Sequence, residues 1–228
     1  MRLLAIDTTE NACSAALLLD GELKGRFQLA PRRHGELLLP MIDSLLAEAQ
    51  LTARELDGVA FSRGPGSFTG IRIATGVAQG IALGADLPVA PVSTLLALAR
   101  GAMEETGARN LLAALDARMG ELYWAAVRSG RHGMEIQGGE MVAPPTRVEA
   151  QPRDDWVAIG SGWDSYLEQL MPRFRPVKVL HDRQIDARQV ARLGADLLER
   201  GGGVPAEQAL PVYLRNQVAK KSAVEPPN

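Results

Sequence analysis

Two aspartates, Asp7 and Asp116, stand at matching places in the chain, each closing an apolar run: Leu3-Leu4-Ala5-Ile6-Asp7 and Leu112-Ala113-Ala114-Leu115-Asp116. If both runs are strands, the carboxylates face one another across a cleft. Thr8 and Thr9 then follow the first aspartate, Arg118 and Gly120 follow the second, and Gly160 and Gly162 lie further on. The plainer reading is a pair of turn caps, because an aspartate at a strand end accepts hydrogen bonds from nearby backbone. The run Gly64-Pro65-Gly66-Ser67 is glycine-rich but lacks the following Lys with Ser or Thr of a phosphate loop, so it reads as a turn that launches a helix. Ser67 suits the N-cap position, and as a nucleophile it would need a histidine base and an orienting acid. No arrangement of His34, His132 and His181 suggests one, and none has a His or Cys neighbour at metal-ligand spacing, so they read as surface or capping residues. Cys13 is the only cysteine, which excludes an intrachain disulfide and a cysteine zinc cluster and suits a reducing compartment.

These residues need elements to hold them. Arg2 to Thr8 reads as a buried strand, and Cys13 to Leu19 and Leu23 to Leu29 flank Asp20-Gly21, a hairpin signal. From His34 to Ala49, Leu37, Leu38, Met41, Ile42, Leu45 and Leu46 recur at helical spacing, with Leu39 off the stripe. Pro40 inside that pattern predicts a kink, or a helix whose regular part begins near it. Leu56 to Ser62 is a strand, and the Gly64–Ser67 turn opens a helix to about Gly84. Pro88 to Val92 is a strand followed by a helix capped by Ser93 and ending before Gly107.

The chain then begins again at Leu112, with further strands at Glu121 to Val127 and Met134 to Val142 and a loop carrying Pro144, Pro145 and Pro152. A strand Trp156 to Ile159, a helix through Tyr166 and Leu170, a strand near Val177 to Leu180 and a helix Ala187 to Arg200 complete the copy. The economical explanation is an internal duplication. The predicted fold class is α/β, with two lobes of βββαβα type and mixed sheets. Residues 1–104 make the first lobe and 105–185 the second, with 186–216 packing back near the first. Gln208 to Leu214 is expected to return as an extended segment, and 217–228 to be a disordered tail.

Gly76, Gly80 and Gly84 recur every fourth residue, on one helix face, each costing roughly 1 kcal/mol relative to Ala. A second backbone lying close against that face offsets the cost, so the helix is read as a docking helix, with Ile73 and Val77 beside the glycines. The pairs Leu37-Leu38, Met41-Ile42 and Leu45-Leu46 make the preceding helix's apolar face wider than one sheet contact needs, leaving part of it for a partner. A net charge of −2 over 228 residues gives no electrostatic reason for tight, direct binding to nucleic acid. Arg215, Lys220 and Lys221 near the tail read as solvated charges. Asp7 interrupts the first apolar run too early for a secretory signal, and no segment is apolar for long enough to span a bilayer, so a cytosolic location is expected.

Two lobes that each open with a strand, an acidic turn and a hairpin resemble the actin, sugar kinase and Hsp70-like fold. Within it, Ala5-Ile6-Asp7-Thr8, Ser62 to Gly70, Asp116-Ala117-Arg118-Met119-Gly120-Glu121 and Pro211-Val212-Tyr213-Leu214-Arg215 resemble, in order, the motifs of the bacterial TsaB (YeaZ) family. The resemblance implies a paralogue of TsaD. It implies a subunit that binds and activates a TsaD-type enzyme, which places threonylcarbamoyl on the tRNA adenosine beside the anticodon. It further implies a homodimer when alone, a TsaE-type ATPase in the larger complex, only indirect contact with tRNA and no membrane.

In active relatives the cleft between the aspartates binds a metal-held nucleotide. Relatives that grip phosphate follow the second aspartate with several glycines, where this chain has Ala117, Arg118 and Met119, so its cleft reads as vestigial. TsaD-type relatives also carry two metal-binding histidines four residues apart, where Thr94 and Leu98 stand here. No catalytic residue, metal or cofactor of its own is therefore expected, and ATP or ADP only at a junction with partners. The resemblance assigns the partner interface to the two helices bearing Leu37, Leu38, Met41, Ile42, Leu45, Ile73, Gly76, Val77, Gly80 and Gly84. The alternative, a glycoprotease-like or nucleotide-dependent enzyme of the same fold, requires a metal pair, a Ser-His arrangement or a phosphate loop.

Overall fold

Alternation of side chains along two strands sets the layering. The computed structural model describes residues 1–131 and 133–215. In β1 (Arg2–Asp7), Leu3 and Ala5 face one apolar core while Leu4 and Ile6 face another. In β6 (Asn110–Arg118), Leu111, Ala113 and Leu115 face the same core as Leu3, and Leu112 and Ala114 face a third. Both strands are therefore buried on both sides, and each is central to a five-stranded sheet.

The first sheet also contains β2 (Ala12–Leu19), β3 (Glu22–Leu29), β4 (Gly58–Gly64) and β5 (Val89–Ser93), in the order β3-β2-β1-β4-β5. The second adds β7 (Glu121–Gly130), β8 (Gly133–Ala143), β9 (Val157–Ile159) and β10 (Lys178–Leu180), in the order β10-β9-β6-β7-β8. Read from the hairpin edge, the two orders are the same. β1 pairs antiparallel with β2 and parallel with β4, as β6 does with β7 and β9. The duplicated mixed-sheet α/β fold is thus observed, with β1 and β6 equivalent. Asp20 and Gly21 both take positive φ at the β2–β3 turn, which suits a tight hairpin.

Helices fill three layers. α1 (His34–Ala49) and α2 (Phe68–Ala85) cover the outer face of the first sheet. α3 (Thr94–Thr106) and α5 (Ala187–Glu199) form the layer between the sheets, and α4 (Ser161–Phe174) covers the outer face of the second with Trp124, Trp156 and Trp163. The middle layer is rich in alanine, including Ala60, Ala90, Ala97, Ala99, Ala113, Ala125, Ala187 and Ala191, which lets helix and strand backbones come close. α5 follows the second sheet in sequence, yet it packs on β1, β2, β4 and β5 of the first.

Two local expectations are corrected. α1 begins at His34 and continues through Pro40, whose exposed position leaves the carbonyl it cannot satisfy within reach of water. The extended segment expected over Gln208 to Leu214 begins later than that, because Gln208 closes a short 3-10 helix (Ala206–Gln208), and the stretch after it is irregular. The second copy has no counterpart of α1, its place being taken by the proline-bearing loop after β8. The expected tail, 217–228 with Lys220 and Lys221, and His132 lie outside the described residues. No described helix is long and apolar enough to cross a membrane.

A Cβ on Gly194 of α5 would stand 2.4 Å from Ala60 Cβ on β4, so this helix rides directly on the sheet. Gly194→Val is expected to lower unfolding stability by about 1–3 kcal/mol through overpacking. Urea denaturation of the two proteins measures the difference, and an unchanged midpoint would mean that α5 is not held against β4.

Candidate functional site

The glycine-rich turn between β4 and α2 is shaped by backbones that nearly touch. A Cβ on Gly70 would lie 1.9 Å from the Thr8 carbonyl oxygen, and one on Gly66 would lie 2.6 Å from that of Thr9. The Thr8 hydroxyl donates to the Gly70 carbonyl at 2.7 Å, and the Ser67 amide donates to the Thr9 carbonyl at 2.7 Å. Ser67 Oγ accepts from the Gly70 amide at 3.4 Å and caps α2. The glycines thus make room for the turn after β1.

That turn carries the first aspartate. Asp7 is fully buried and accepts from the Thr9 hydroxyl at 2.7 Å and more weakly from the Thr9 amide at 3.4 Å. Burial pushes its pKa up to about 6, against the pull of Ser62 on β4 and of the Thr9 hydrogen bonds. Asp116 receives the Arg118 amide at 2.8 Å and the Arg118 guanidinium at 2.9 Å, with Tyr166 Oη at 3.4 Å. Both carboxylates are therefore engaged by neighbouring groups of the protein, chiefly those of their own turns. Arg118, Met119 and Gly120 all have positive φ, the tight hairpin that folds the Arg118 side chain back onto Asp116. Gly160 and Gly162 pack against β6, where a Cβ would lie 2.3 Å from the Ala114 carbonyl oxygen or 2.8 Å from Ala114 Cβ. They serve close packing.

The residue that joins the two halves of the cleft, Glu10, carries no motif that singles it out. Ser161 Oγ, at the start of α4, donates to Glu10 Oε1 at 2.6 Å and accepts from the Asp116 amide at 3.0 Å. Burial raises the Glu10 pKa to about 7, opposed by the Ser161 bond and reinforced by Asp7 and Asp116, while Oε2 is buried without a partner. Only an acidic residue shortly after Asp7 hinted at it.

The histidines divide. His34 is buried in the first turn of α1, whose N-cap is Arg33, which corrects its reading as a surface or capping residue, and His181 Nδ1 sits 2.7 Å from Asp164 Oδ1. Cys13 is buried, and burial pushes its thiol up to about 11. Among the described residues, no three His, Cys, Asp or Glu side chains are grouped to hold a metal ion.

A strap closes the arrangement. The Val212 amide donates to the Arg63 carbonyl at 2.8 Å, Arg72 Nε donates to Tyr213 Oη at 3.1 Å, and the Tyr213 ring lies 5.7 Å from that of Phe68. Arg215 then bonds the Ala117 carbonyl at 2.9 Å and pairs with Glu121. Arg215 is therefore a bridge from the strap to the β6–β7 turn, which corrects its reading as a solvated charge.

The outer helices present the other candidate surface. Leu38, Ile42 and Leu45 are 1%, 2% and 0% exposed and face Cys13, Ala15 and Leu17, so these three are removed from the predicted interface. They supply the one sheet contact that α1 needs. Leu37 and Met41 are half-buried beside them, as are Ile73 and Val77 on α2. A Cβ on Gly76, Gly80 or Gly84 would meet no atom within 4 Å, so the glycine face is open. Leu83, 75% exposed, lies next to it and was not anticipated.

A family model described as TsaD, tRNA N6-adenosine threonylcarbamoyltransferase, matches residues 28–227. The tRNA threonylcarbamoyladenosine biosynthesis protein TsaB of Escherichia coli (strain K12) is 40% identical over 97% of each chain. The Haemophilus influenzae protein of the same name is 36% identical over 97% of this chain and 96% of that one. A crystal structure from Pseudomonas aeruginosa, described as an uncharacterized protein with similarity to peptidase YEAZ, superposes with a TM-score of 0.89 at 44% identity, covering 94% of this chain and 99% of that one.

Glu10 gives the cleft a pH signature. Its folded pKa, raised to about 7, exceeds the ordinary 4.5, so the folded state holds a proton that the unfolded chain has already released. Glu10 therefore costs the fold stability as pH rises from about 4.5 to 7, with the full cost above 7. Glu10→Gln keeps the Ser161 bond and removes that cost. It is expected to gain on the order of 1–3 kcal/mol relative to the parent at pH 8, and little at pH 4.5. Urea denaturation at the two pH values measures this, and parallel pH dependences would show that Glu10 titrates normally.

Proposed function

The chain belongs to the TsaB family, and from that premise we propose that it acts in the cytosol as a non-catalytic subunit that binds and activates a TsaD-type enzyme, so that N6-threonylcarbamoyladenosine forms in tRNA beside the anticodon. The observation that carries the reading is the open glycine face of α2, where Gly76, Gly80 and Gly84 accept a helix backbone at a distance other residues forbid. Leu37 and Met41 of α1, with Ile73, Val77 and Leu83 of α2, supply apolar surface around it. A second copy of the chain uses the same face when the partner is absent, and a TsaE-type ATPase joins the larger assembly.

The absence of chemistry from this subunit is supported by the state of its cleft. Asp7 is held by Thr9, Asp116 is neutralised by Arg118, and Ser67 is spent on capping α2. The described histidines are buried at a helix start or paired with Asp164, so neither stands as a base for Ser67. The chain holds no cofactor of its own in this reading, and ATP or ADP binds only where partners complete a junction.

Gly80→Leu tests the docking face directly. Its side chain projects into open space, so the monomer is expected to fold with an unchanged or slightly raised melting temperature, helix propensity improving by up to about 1 kcal/mol. Association with a TsaD-type partner is expected to be lost in pull-down and size-exclusion experiments. Normal association by this variant would place the interface elsewhere.

A further inference from the structure

Three arginines gather at the end of β6 opposite to Asp116. Arg109, Arg128 and Arg131 line a cavity of about 390 Å³, together with Asn110 and Glu135. Arg109 precedes β6, Arg128 lies in register with Asn110 on β7, and Arg131 follows β7, so three separate backbone positions aim cations at one place. The Arg200 guanidinium comes in from the end of α5, with Nη2 3.1 Å from where a Cβ on Gly133 would lie in the cavity wall. All three lining arginines are exposed. Among the described residues none of the four has a carboxylate oxygen within 4.0 Å, whereas Arg26, Arg63, Arg183 and Arg215 do. In a chain with a net charge of −2, four arginines without an ion-pair partner at one strand end are a local concentration, and not a reflection of overall charge.

Asn110 adds an independent sign of a ligand. It is 6% exposed, and its Nδ2 donates to Asp155 Oδ2 at 2.6 Å, which fixes the amide orientation. Its Oδ1 is left buried with no partner, an acceptor whose desolvation is uncompensated. The site therefore offers cations for an anion, and in its lining residue Asn110 a buried acceptor that the protein leaves without a donor. A phosphate beside a hydroxyl has that combination, and the 2′-hydroxyl places it on every nucleotide of an RNA strand.

A second cavity of about 380 Å³ adjoins the first and shares Arg128. Trp124, Ala126 and Arg128 alternate along one face of β7, so the wall runs from guanidinium to indole. The Arg153 guanidinium lies 5.9 Å from the ring centroid of Trp156, itself buried like Trp124, with Gln137 and Gln151 supplying amides and Glu149 a carboxylate to the lining. A planar base is matched by such a mixture of flat guanidinium, apolar wall and amide groups.

We propose that the two adjoining cavities bind a ribonucleotide segment of an RNA strand, with Arg109, Arg128 and Arg131 on its phosphates and the Arg153–Trp156 cavity taking a base. Arginine suits the task because its planar fork binds phosphate bidentately. Three cations around one cavity, with Arg200 beside them, exceed the single charge of one phosphodiester, which favours a strand with successive phosphates over a free nucleotide. This goes beyond the docking role, and it differs from the expectation that tRNA is touched only indirectly. It rests on the proposed function only for the choice of tRNA as probe.

The test uses the full chain and a fluorescein-labelled, unmodified tRNA transcript, with anisotropy followed across a KCl series. The parent is expected to bind at low salt and to weaken as salt rises. Arg109→Gln/Arg128→Gln/Arg131→Gln is expected to lose at least tenfold in affinity at an unchanged melting temperature. Its log–log salt slope should fall by about 2, as expected for three phosphate contacts at ~0.7–0.9 each. Arg128→Lys, which keeps the charge without the fork, should fall between the two. Equal tRNA affinity of the parent and triple variant overturns the proposal, as does a parent that binds no tRNA at low salt. AMP binding that depends on the arginines, beside tRNA binding that does not, assigns the site to a free nucleotide and overturns the strand. Pull-down of a TsaD-type partner by the same proteins is a separate readout, so failure of the docking role is distinguished from failure of this site.

Discussion

The approach of the turn after β1 to the first residues of α2 is the constraint on which the site depends. With the Gly70 position only 1.9 Å from a carbonyl oxygen once a Cβ is added, no other residue fits, and Gly66 is nearly as confined. The Thr8 and Ser67 bonds fix the same contact. Asp7 is buried because of it, and α2 is aimed so that Gly76, Gly80 and Gly84 point away from the sheet. The strap at Val212 adds a third backbone, since a Cβ on Gly64 would lie 2.7 Å from the Val212 carbonyl oxygen. One geometry of close backbones thus links the buried cleft to the open helix face.

The two lobes are joined by polar bonds between residues of the two halves. Ser161 of the second half binds Glu10 of the first, Arg63 pairs with the largely buried Glu140 at 3.1 Å, and Arg215 ties the strap to the β6–β7 turn. Charge-assisted bonds of this kind are stronger than neutral ones, and their geometry fixes orientation as well as distance. Small side chains set how near the sheets and helices come, and these bridges set how the halves are turned. The cleft is thereby occupied by the protein's own side chains.

This division places the chemistry-bearing residue types in the cleft and the surfaces proposed for recognition outside it. Asp7, Asp116 and Glu10 each accept from an internal donor, while the glycine face of α2 is open and the arginines of the cavity at the far end of β6 have no carboxylate oxygen within 4.0 Å among the described residues, although Glu135 shares its lining. The two surfaces lie on different sheets. A subunit that docks by one lobe and touches RNA by the other would bring partner and substrate together without a reaction of its own.

Much of this was legible in the sequence, because it rests on local periodicity and on residues with few conformational options. The echo of Leu3–Asp7 in Leu112–Asp116 gave the duplication, and both strands are central in equivalent sheets. Ser67 and Ser93 cap the helices they were expected to cap, since an N-cap is decided within three residues. The four-residue glycine spacing marked a face, but spacing is silent on whether that face meets solvent or protein. Likewise the pairs on α1 could not be divided until the sheet beneath was present, when Leu38, Ile42 and Leu45 turned inward. Glu10 meets Ser161, and Arg109, Arg128 and Arg200 gather, only because strands and helices distant in sequence are brought together. Periodicity records which way a side chain leaves its own backbone, and only tertiary packing decides what it meets there.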